Sequence, residues 1–282
     1  MGPNSVGGVT STPFRFAAQA SPQNGQQWLA LARQAEQLGY SSLLMPDGLP
    51  LPSPMPALAA AAAATTTLRL GTWVLAAPLR PPRLAAWDAH TLSLLSGGRF
   101  ELGIGTGRPE VVAEAAEIYG GPELTGAQRL AQVEQTIDEL RGLDGDEHTP
   151  ILIAAGGPKA RALAAAKADI ITPAAGPLAD RGKVAELVAG IRAAAGDRGA
   201  GLEFAAPIFV VGDDAPPWVL RFTGTDMATL VARDSLMILR GSPAQMAEEL
   251  QRRRETLGVS YFSVNAAFIE QFAPVVELLA GH

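Results

Sequence analysis

Residues 69–110, RLGTWVLAAPLRPPRLAAWDAHTLSLLSGGRFELGIGTGRPE, decide the fold class of this chain. They read as strand, loop, helix, tight turn, strand and glycine-rich loop, and apolar residues crowd both candidate strands. Two strands that are buried on both faces and joined by one helix form a parallel unit. Both strands end in loops of small residues, and such loops hold ligands in α/β proteins. The stretch therefore predicts an α/β fold and a ligand site, but it does not name a reaction.

The composition suits one compact domain that handles a small molecule. The chain has 282 residues, of which 48% are hydrophobic and 18% charged, and an eight-fold β/α barrel typically has ~250 residues. The net charge is −6 and the positive residues are scattered, which argues against nucleic acid or an anionic membrane as partner. The absence of cysteine excludes disulfides, thiolate nucleophiles and cysteine metal sites.

The amino-terminal segment does not match the pattern of a secretory signal peptide. MGPNSVGGVTST lacks the basic start and apolar centre of a signal peptide, so we interpret residues 1–13 as a disordered lead and residues 14–282 as a single barrel domain. The longest apolar run, residues 57–64, is far shorter than the roughly 20 residues that cross a bilayer. We expect a cytoplasmic protein, and its Ala- and Leu-rich helices make a homodimer a reasonable expectation.

Eight candidate strands alternate with helical patterns along the chain. The strands are predicted at 14–20, 40–45, 68–75, 100–104, 151–155, 168–172, 204–211 and 261–264. A long loop is expected after the fourth strand, and a helical excursion near the ligand face is expected over residues 216–239. Because this alternation comes without a Rossmann fingerprint, it predicts a closed (β/α)8 TIM barrel with parallel strands rather than an open, doubly wound sheet.

Several segments carry a family likeness. LRLGTWVL, a proline-containing helix start and TLSLLSGGRFELGIGTG resemble the luciferase-like monooxygenase superfamily, which includes flavin and deazaflavin enzymes. ILIAAGG, ADIIT and the closing GSPAQMAEELQRRRETLGVSYFSV are similar to the actinobacterial branch of coenzyme F420-dependent oxidoreductases. The likeness extends over residues 14–264. It implies a luciferase-like barrel that uses coenzyme F420, with FMN or no cofactor as alternatives.

Two glycine-rich loops are the candidate cofactor-binding segments. Gly156 and Gly157 follow the fifth strand, where glycine lets backbone amides approach an anion just before a helix begins. The resemblance implies a phosphate of the cofactor tail there, and an ordinary tight turn is the alternative. Gly105, Thr106 and Gly107 offer a similar loop after the fourth strand, and the threonine hydroxyl can bond a phosphate or a ring carbonyl.

The end of the third strand is the candidate support for the cofactor ring. Members of the family often have a non-proline cis peptide here, which would lie near Trp73-Val74. The resemblance then implies that Val74, Leu75 and Ala76 pack on the back of the ring. A plain strand end is the alternative.

Two departures from the family pattern affect the chemistry. The family commonly has Asp-His after the second strand and Arg-His-Pro before the third helix, whereas this chain has Asp47-Gly48 and Arg80-Pro81-Pro82. Both expected histidines are therefore replaced. The chain contains only His90, His148 and His282. We predict packing or a local hydrogen bond for His90 and no metal site, because histidines and carboxylates do not cluster at ligand spacing.

Four polar residues remain as candidates for chemistry. Asp47 can act as an acid if an apolar pocket raises its pKa, and exposure or a helix cap is the alternative. Glu110 suits a proton transfer, and Arg108 suits an anionic substrate or cofactor group, although both can equally be solvated charges. Gln19 ends the first strand, where it can hydrogen-bond a substrate or ring edge or satisfy backbone groups.

Three functions fit these residues. The first is hydride transfer between F420 and a small organic substrate, with the cofactor doing the chemistry and the protein positioning it. The second is an FMN-dependent monooxygenase on the same barrel. The third is a barrel that has lost its redox cofactor and serves as a non-redox enzyme or binding protein, which the two replaced histidines favour.

Overall fold

The computed structural model describes residues 12–49 and 51–282, so nearly all of the predicted lead lies outside the described residues. It contains eleven strands. They are β1 (Arg15–Gln19), β2 (Ser42–Met45), β3 (Arg69–Thr72), β4 (Leu75–Ala76), β5 (Phe100–Gly105), β6 (Ile151–Ala155), β7 (Ile170–Pro173), β8 (Glu203–Ile208), β9 (Val210–Val211), β10 (Ile238–Leu239) and β11 (Val259–Asn265).

The strands form a closed parallel barrel. Hydrogen-bonded neighbours run in the order β3, β2, β1, β11, β8, β7, β6, β5 and β4. A further pairing of β3 with β5, through Leu70 and Phe100, closes the cylinder, and β4 continues β3 past a break at residues 73–74. The predicted (β/α)8 barrel is confirmed. The predicted seventh strand is divided, since β9 leaves the barrel and pairs with β10 in a separate two-stranded ribbon.

Helices cover the outside of the barrel. They are α1 (Gly25–Gln37), α2 (Pro54–Ala64), α3 (Pro82–Leu95), α4 (Pro109–Tyr119), α5 (Gly126–Asp144), α6 (Pro158–Lys167), α7 (Arg181–Ala195), α8 (Pro217–Thr223), α9 (Met227–Ala232), α10 (Pro243–Leu257) and α11 (Ile269–Leu279), with short 3₁₀ turns at 77–79, 196–201 and 266–268. Within the described ranges, no helix is long and apolar enough to cross a bilayer.

Two of these helices differ from the sequence-based expectation. The predicted long loop after the fourth strand contains α4, which begins at Pro109, buries Val111 and Val112 and ends at Gly120 in the left-handed conformation. Helix α11 was not predicted, and it contains Pro274, a residue that usually breaks helices. Its burial compensates for that proline, because Phe272 packs edge-on against Phe16 of β1 with ring centroids 5.4 Å apart.

The pleat of each strand divides its side chains between the outer core and the barrel interior. In β1, Phe16 and Ala18 join the large core beneath the helices, whereas Ala17 belongs to a second cluster inside the barrel. The members of that interior cluster are Ala17, Leu44, Leu152, Ile170, Ala205 and Tyr261, with Trp73 and Val74 packed against them. The middle of the barrel is therefore apolar and filled.

Charged side chains close the amino-terminal end of the barrel. Arg15 bonds to Glu101 and to Glu203, the latter at 2.7 Å, and Arg69 Nε lies 2.5 Å from Glu101 Oε1. The Arg15 guanidinium also lies 4.2 Å from the centroid of the buried Tyr261 ring. Burial raises the pKa of the Glu203 carboxyl, and the neighbouring Arg15 acts in the opposite direction. This floor of the barrel is a paired, buried network, which leaves the carboxyl-terminal end for ligands.

The excursion between β9 and β10 lies beside that carboxyl-terminal end. It carries α8 and α9, as predicted for residues 216–239. Ser235 Oγ donates to the carbonyl of Pro177, at 2.8 Å, and Asp234 bonds to Arg181. Both partners belong to the connection from β7 to α7 or its first helical residue, so the excursion is fastened to a loop of the ligand-bearing end.

Candidate functional site

The mouth of the barrel begins with Gln19 at the end of β1. Gln19 follows the inward-facing Ala17 by two residues and is level with Asn265 of β11. Ser263 Oγ donates a hydrogen bond to Gln19 Oε1 at 2.8 Å. Since a glutamine amide also has two N–H donors, this bond orients the side chain and leaves its donors for a ligand.

Val74 lies on the inner wall of the mouth, and glycines in β5 make room for it. The peptide bond between Trp73 and Val74 is cis, at the position that the family resemblance implies. A Cβ atom on Gly105 would lie 2.9 Å from Val74 Cγ2, and one on Gly103 would lie 1.9 Å from the carbonyl oxygen of Thr72. The alternating glycines of FELGIG therefore let β5 pass close to the break between β3 and β4.

The two residues that follow Val74 differ in their orientation. Leu75 is fully buried in the outer core, level with Ile104 of β5. Its side chain packs among the core residues beneath the helices, and the predicted packing of Leu75 on a ring stays a prediction. Ala76 is 4% exposed, and its backbone N–H donates to Asp47 Oδ2 at 2.9 Å.

Asp47 is held in an ion pair beneath the loop surface. Its Oδ2 accepts from Arg80 Nη1 at 2.6 Å, and its Oδ1 accepts from Arg80 Nη2 at 3.0 Å. The side chain of Asp47 is only 3% exposed. Three hydrogen bonds, counting the Ala76 amide, therefore occupy this carboxylate. The ion pair holds the loop after β2 against the segment after β4. No motif in the sequence indicates this contact.

The glycine loop after β5 leads directly into α4. Gly107 has a φ of +75°, and a Cβ there would lie 3.4 Å from Pro78 and 3.7 Å from Val111. Arg108 is exposed, and its guanidinium carbon lies 5.6 Å from the ring centroid of Phe222 in α8. Glu110 is exposed in the first turn of α4. Among the described residues Arg108 and Glu110 form no ion pair within 4.0 Å, so the two charges do not neutralise each other.

The second glycine loop precedes α6. Gly157 is the N-cap residue of this helix and no side chain caps it, so the first-turn amides keep their capacity to bind an anion. A Cβ on Gly157 would meet nothing within 4 Å, and Arg161 donates to the carbonyl of Gly156. The binding role of Gly156 and Gly157 stays a prediction that this open helix start supports.

Two histidines, His90 and His148, contact carboxylates, and both lie away from the mouth. His90 Nδ1 of α3 is 2.9 Å from Asp144 Oδ1 at the end of α5, so this histidine makes a hydrogen bond between two helices, where the sequence left packing or a local hydrogen bond open. His148 Nε2 lies 3.0 Å from Asp169 Oδ1, next to the starts of β6 and β7. Within residues 12–49 and 51–282, no group of three or more His, Cys, Asp or Glu side chains is arranged to hold a metal ion.

An aromatic cluster beside the mouth was missed by the sequence analysis. Phe209 packs edge-on against Trp218 and Phe222, with ring centroids 5.9 and 5.3 Å apart. Phe209 is buried, whereas Trp218 and Phe222 are 37% and 49% exposed. The signal was the run PPWVLRFT at 216–223, which is unusually aromatic for a connection outside the barrel.

The comparison with protein families identifies the fold family. The sequence profile described as luciferase-like monooxygenase matches residues 6–147, half of the chain, and this region includes Asp47, Val74 and Gly105. The chain belongs to the luciferase-like monooxygenase family. The family resemblance that the sequence motifs carry is thus confirmed.

Relatives of this luciferase-like protein occur in mycobacteria. Uncharacterized proteins of Mycobacterium tuberculosis and Mycobacterium bovis are 29% identical over 154 residues, which cover 46% of this chain and 51% of theirs. The alignment thus spans about half the length of these relatives, and it supports the actinobacterial branch.

Solved structures of luciferase-like proteins share the whole barrel. An F420-dependent secondary alcohol dehydrogenase, solved with an F420-acetone adduct, has a TM-score of 0.75 at 17% identity and covers 95% of this chain and 98% of its own. A riboflavin lyase with modified FMN gives 0.74 at 16%, with coverages of 95% and 92%. The F420-dependent tetrahydromethanopterin reductase of Methanopyrus kandleri gives 0.71 at 18%, with 95% and 99%. At these identities the likeness shows the fold alone.

Proposed function

We propose that this luciferase-like protein is an oxidoreductase that transfers a hydride between coenzyme F420 and a small organic substrate at the mouth of the barrel. The observation that carries the proposal is the position of Val74, whose side chain lines the mouth against the glycines of β5. A flat, apolar wall of this kind suits the face of a planar ring. Membership of the luciferase-like monooxygenase family supports an oxidoreductase.

The described residues fit such a cofactor. The uncapped start of α6 at Gly157, and the loop of Gly105, Thr106 and Gly107, would hold its phosphate-bearing tail. Among the described residues, no atom lies within 4 Å of a Cβ added at Gly157, so there is open space beside this helix start. When bound, the deazaflavin supplies the carbon that gains or loses the hydride.

The side chains at the mouth then have separate tasks. Gln19, oriented by Ser263, presents N–H donors to a ring edge or substrate. Asp47 acts as a positioning residue, because Arg80 and the Ala76 amide already occupy its carboxylate. Its predicted catalytic role stays a prediction. Glu110, exposed at the start of α4, is the carboxylate placed to move a proton to or from solvent.

A second copy of the chain is the partner that we propose for α3. Leu84, Trp87 and Leu94 are 50%, 61% and 73% exposed and follow one side of this helix. The neighbouring α2 has no charged residue between Pro54 and Ala64. Exposed apolar side chains along one side of a helix are typical of an interface between identical subunits.

Titration with F420 and with FMN, followed by fluorescence quenching of the full-length protein, tests the cofactor. Micromolar binding of F420 alone is the expected result. Binding of FMN alone would instead favour a monooxygenase, and binding of neither would favour a non-redox barrel. Gly105→Ala, which pushes on Val74, should weaken binding about tenfold, because overpacking displaces the wall of the site. Gly142→Ala in α5 is the matched control, since its Cβ meets nothing within 4 Å.

A further inference from the structure

The contact between Arg108 and Phe222 spans part of the barrel mouth. Arg108 follows β5, whereas Phe222 lies in α8, which follows β8 and β9. In the closed barrel, β6 and β7 stand between β5 and β8. The contact between Arg108 and Phe222 therefore passes over the side of the mouth that β6 and β7 form. The loop of Gly156 and Gly157, which follows β6, lies on the same side. The pair forms one wall of the space above the mouth.

This wall offers a flat apolar surface. Phe209 anchors it by packing edge-on against Trp218 and Phe222. Burial of Phe209 at 6% exposure and of Val219 at 1% fixes α8 in place. Trp218 and Phe222 nevertheless keep more than a third of their surface accessible. Partly exposed aromatic side chains on an anchored helix are suited to stack on a flat ligand.

The same wall carries a cation that no acidic side chain neutralises. Among the described residues, no carboxylate lies within 4.0 Å of the Arg108 guanidinium, although Glu110 is only two residues away. Its contact is with the face of Phe222. When a guanidinium stacks on an aromatic face, its N–H groups stay free at the edge of its plane. They can then donate two parallel hydrogen bonds to a carboxylate.

We propose that Arg108, Trp218 and Phe222 determine the substrate specificity and that the substrate is an organic anion with a flat apolar body, of which an aryl carboxylate is the simplest case. The aromatic side chains take the flat body and Arg108 takes the charge. The inference deepens the proposed function, because it names the substrate class of the same mouth.

The test uses 2-naphthoate and its neutral counterpart 2-naphthamide as probes. Each is titrated into the full-length protein by calorimetry, with and without F420. We expect naphthoate to bind about tenfold more tightly than naphthamide, the scale of a charge-assisted pair. Arg108→Met should remove this preference while affinity for the amide stays, and Phe222→Ala should weaken both ligands. Arg233→Met, which removes an exposed arginine of the same excursion, should change neither.

Three results with the naphthyl probes would overturn the inference. They are equal affinity for the two probes, no binding of either, and a preference for naphthoate that survives Arg108→Met. Weaker binding of F420 or FMN to Arg108→Met would also overturn it, since the guanidinium would then serve the cofactor. If wild-type protein binds neither cofactor but shows an Arg108-dependent preference, the hydride-transfer proposal fails and the anion site stands.

Discussion

The guanidinium of Arg80 donates to both carboxylate oxygens of Asp47, with Nη1 2.6 Å from Oδ2 and Nη2 3.0 Å from Oδ1. Arg80 stands just before the two prolines that begin α3, and Asp47 stands just after β2. The same carboxylate accepts the Ala76 amide. The aspartate that follows β2 thus braces two neighbouring loops.

Asp47→Ala should lower the free energy of unfolding by about 3–5 kcal/mol, because it leaves a mostly buried guanidinium without its partner. Urea unfolding measures the change. The double variant Asp47→Ala/Arg80→Ala should lose less than the sum of the two single variants. Asp213→Ala is the control, since its ion pair with Arg240 is solvent-exposed and worth about 0–1 kcal/mol. Equal losses for Asp47→Ala and Asp213→Ala would contradict a bracing role.

Gly103→Ala should destabilise the fold by about 3 kcal/mol or more, at the upper end of overpacking effects. Its new methyl group would lie 1.9 Å from the Thr72 carbonyl oxygen, and neither strand can move without breaking the ladder. Gly105→Ala should cost less, because it meets the Val74 side chain, and Val74→Ala should rescue it. Denaturant midpoints of the three variants provide the measurement. A Gly103→Ala protein of wild-type stability would show that β5 and the β3–β4 break are farther apart than described.

Glu36 makes stability depend on pH in acid. Burial raises the pKa of the Glu36 carboxyl, but hydrogen bonds from the backbone N–H groups of Thr67, Leu68 and Thr66 outweigh it and lower the pKa to about 2. Since the folded value lies below the ordinary 4.5, the contribution is complete above pH 4.5 and is lost as the pH falls towards 2. Urea midpoints between pH 6 and pH 2 should fall less steeply for Glu36→Gln. Parallel curves for wild type and variant would refute this.

Trp87→Glu should shift the protein towards the monomer if α3 joins two copies. The charge would enter the apolar stripe that also contains Leu84 and Leu94, and an unpaired buried charge opposes association. Sedimentation velocity across a concentration series measures the change. Leu278→Glu, on an equally exposed leucine of α11, is the control and should leave the oligomeric state unchanged. A monomeric wild-type protein would refute the interface.

The barrel could be predicted because its determinants are local and repeat along the chain. Eight apolar strands recur along the chain, and several of the helices between them are capped by a side chain or end at a glycine, so most units can be recognised in a short window. Helix α4 was not predicted because a proline just after a glycine loop is typical of a continuing loop. Proline also suits the first helical turn, and α4 begins at Pro109. Helix α11 was not predicted because Pro274 lies inside it. The helix is stabilised by packing on β1, which the sequence does not show.

The site was only partly predictable, because its contacts join distant parts of the chain. Gln19 and Val74 follow from strand ends, and the cis bond at Trp73-Val74 followed from the family likeness. The packing of Leu75 among the core residues beneath the helices depends on the pleat at the β3–β4 break, which the sequence does not indicate. The bond from Arg80 to Asp47 crosses 33 residues, and the contact of Arg108 with Phe222 depends on how an excursion folds back over the barrel.

Because the amino-terminal end of the barrel is closed, ligands reach its interior from the carboxyl-terminal end. Arg15, Glu101 and Glu203 seal one end, and the apolar layer with Tyr261 fills the space above them. Whatever enters at the mouth must leave by the same route. If the cofactor is seated against Val74 and the substrate rests on the Arg108 wall, as proposed, the cofactor lies nearer the barrel interior than the substrate. Kinetics with two ligands should then show ordered binding, in which the inner ligand binds first and excess outer ligand slows its release.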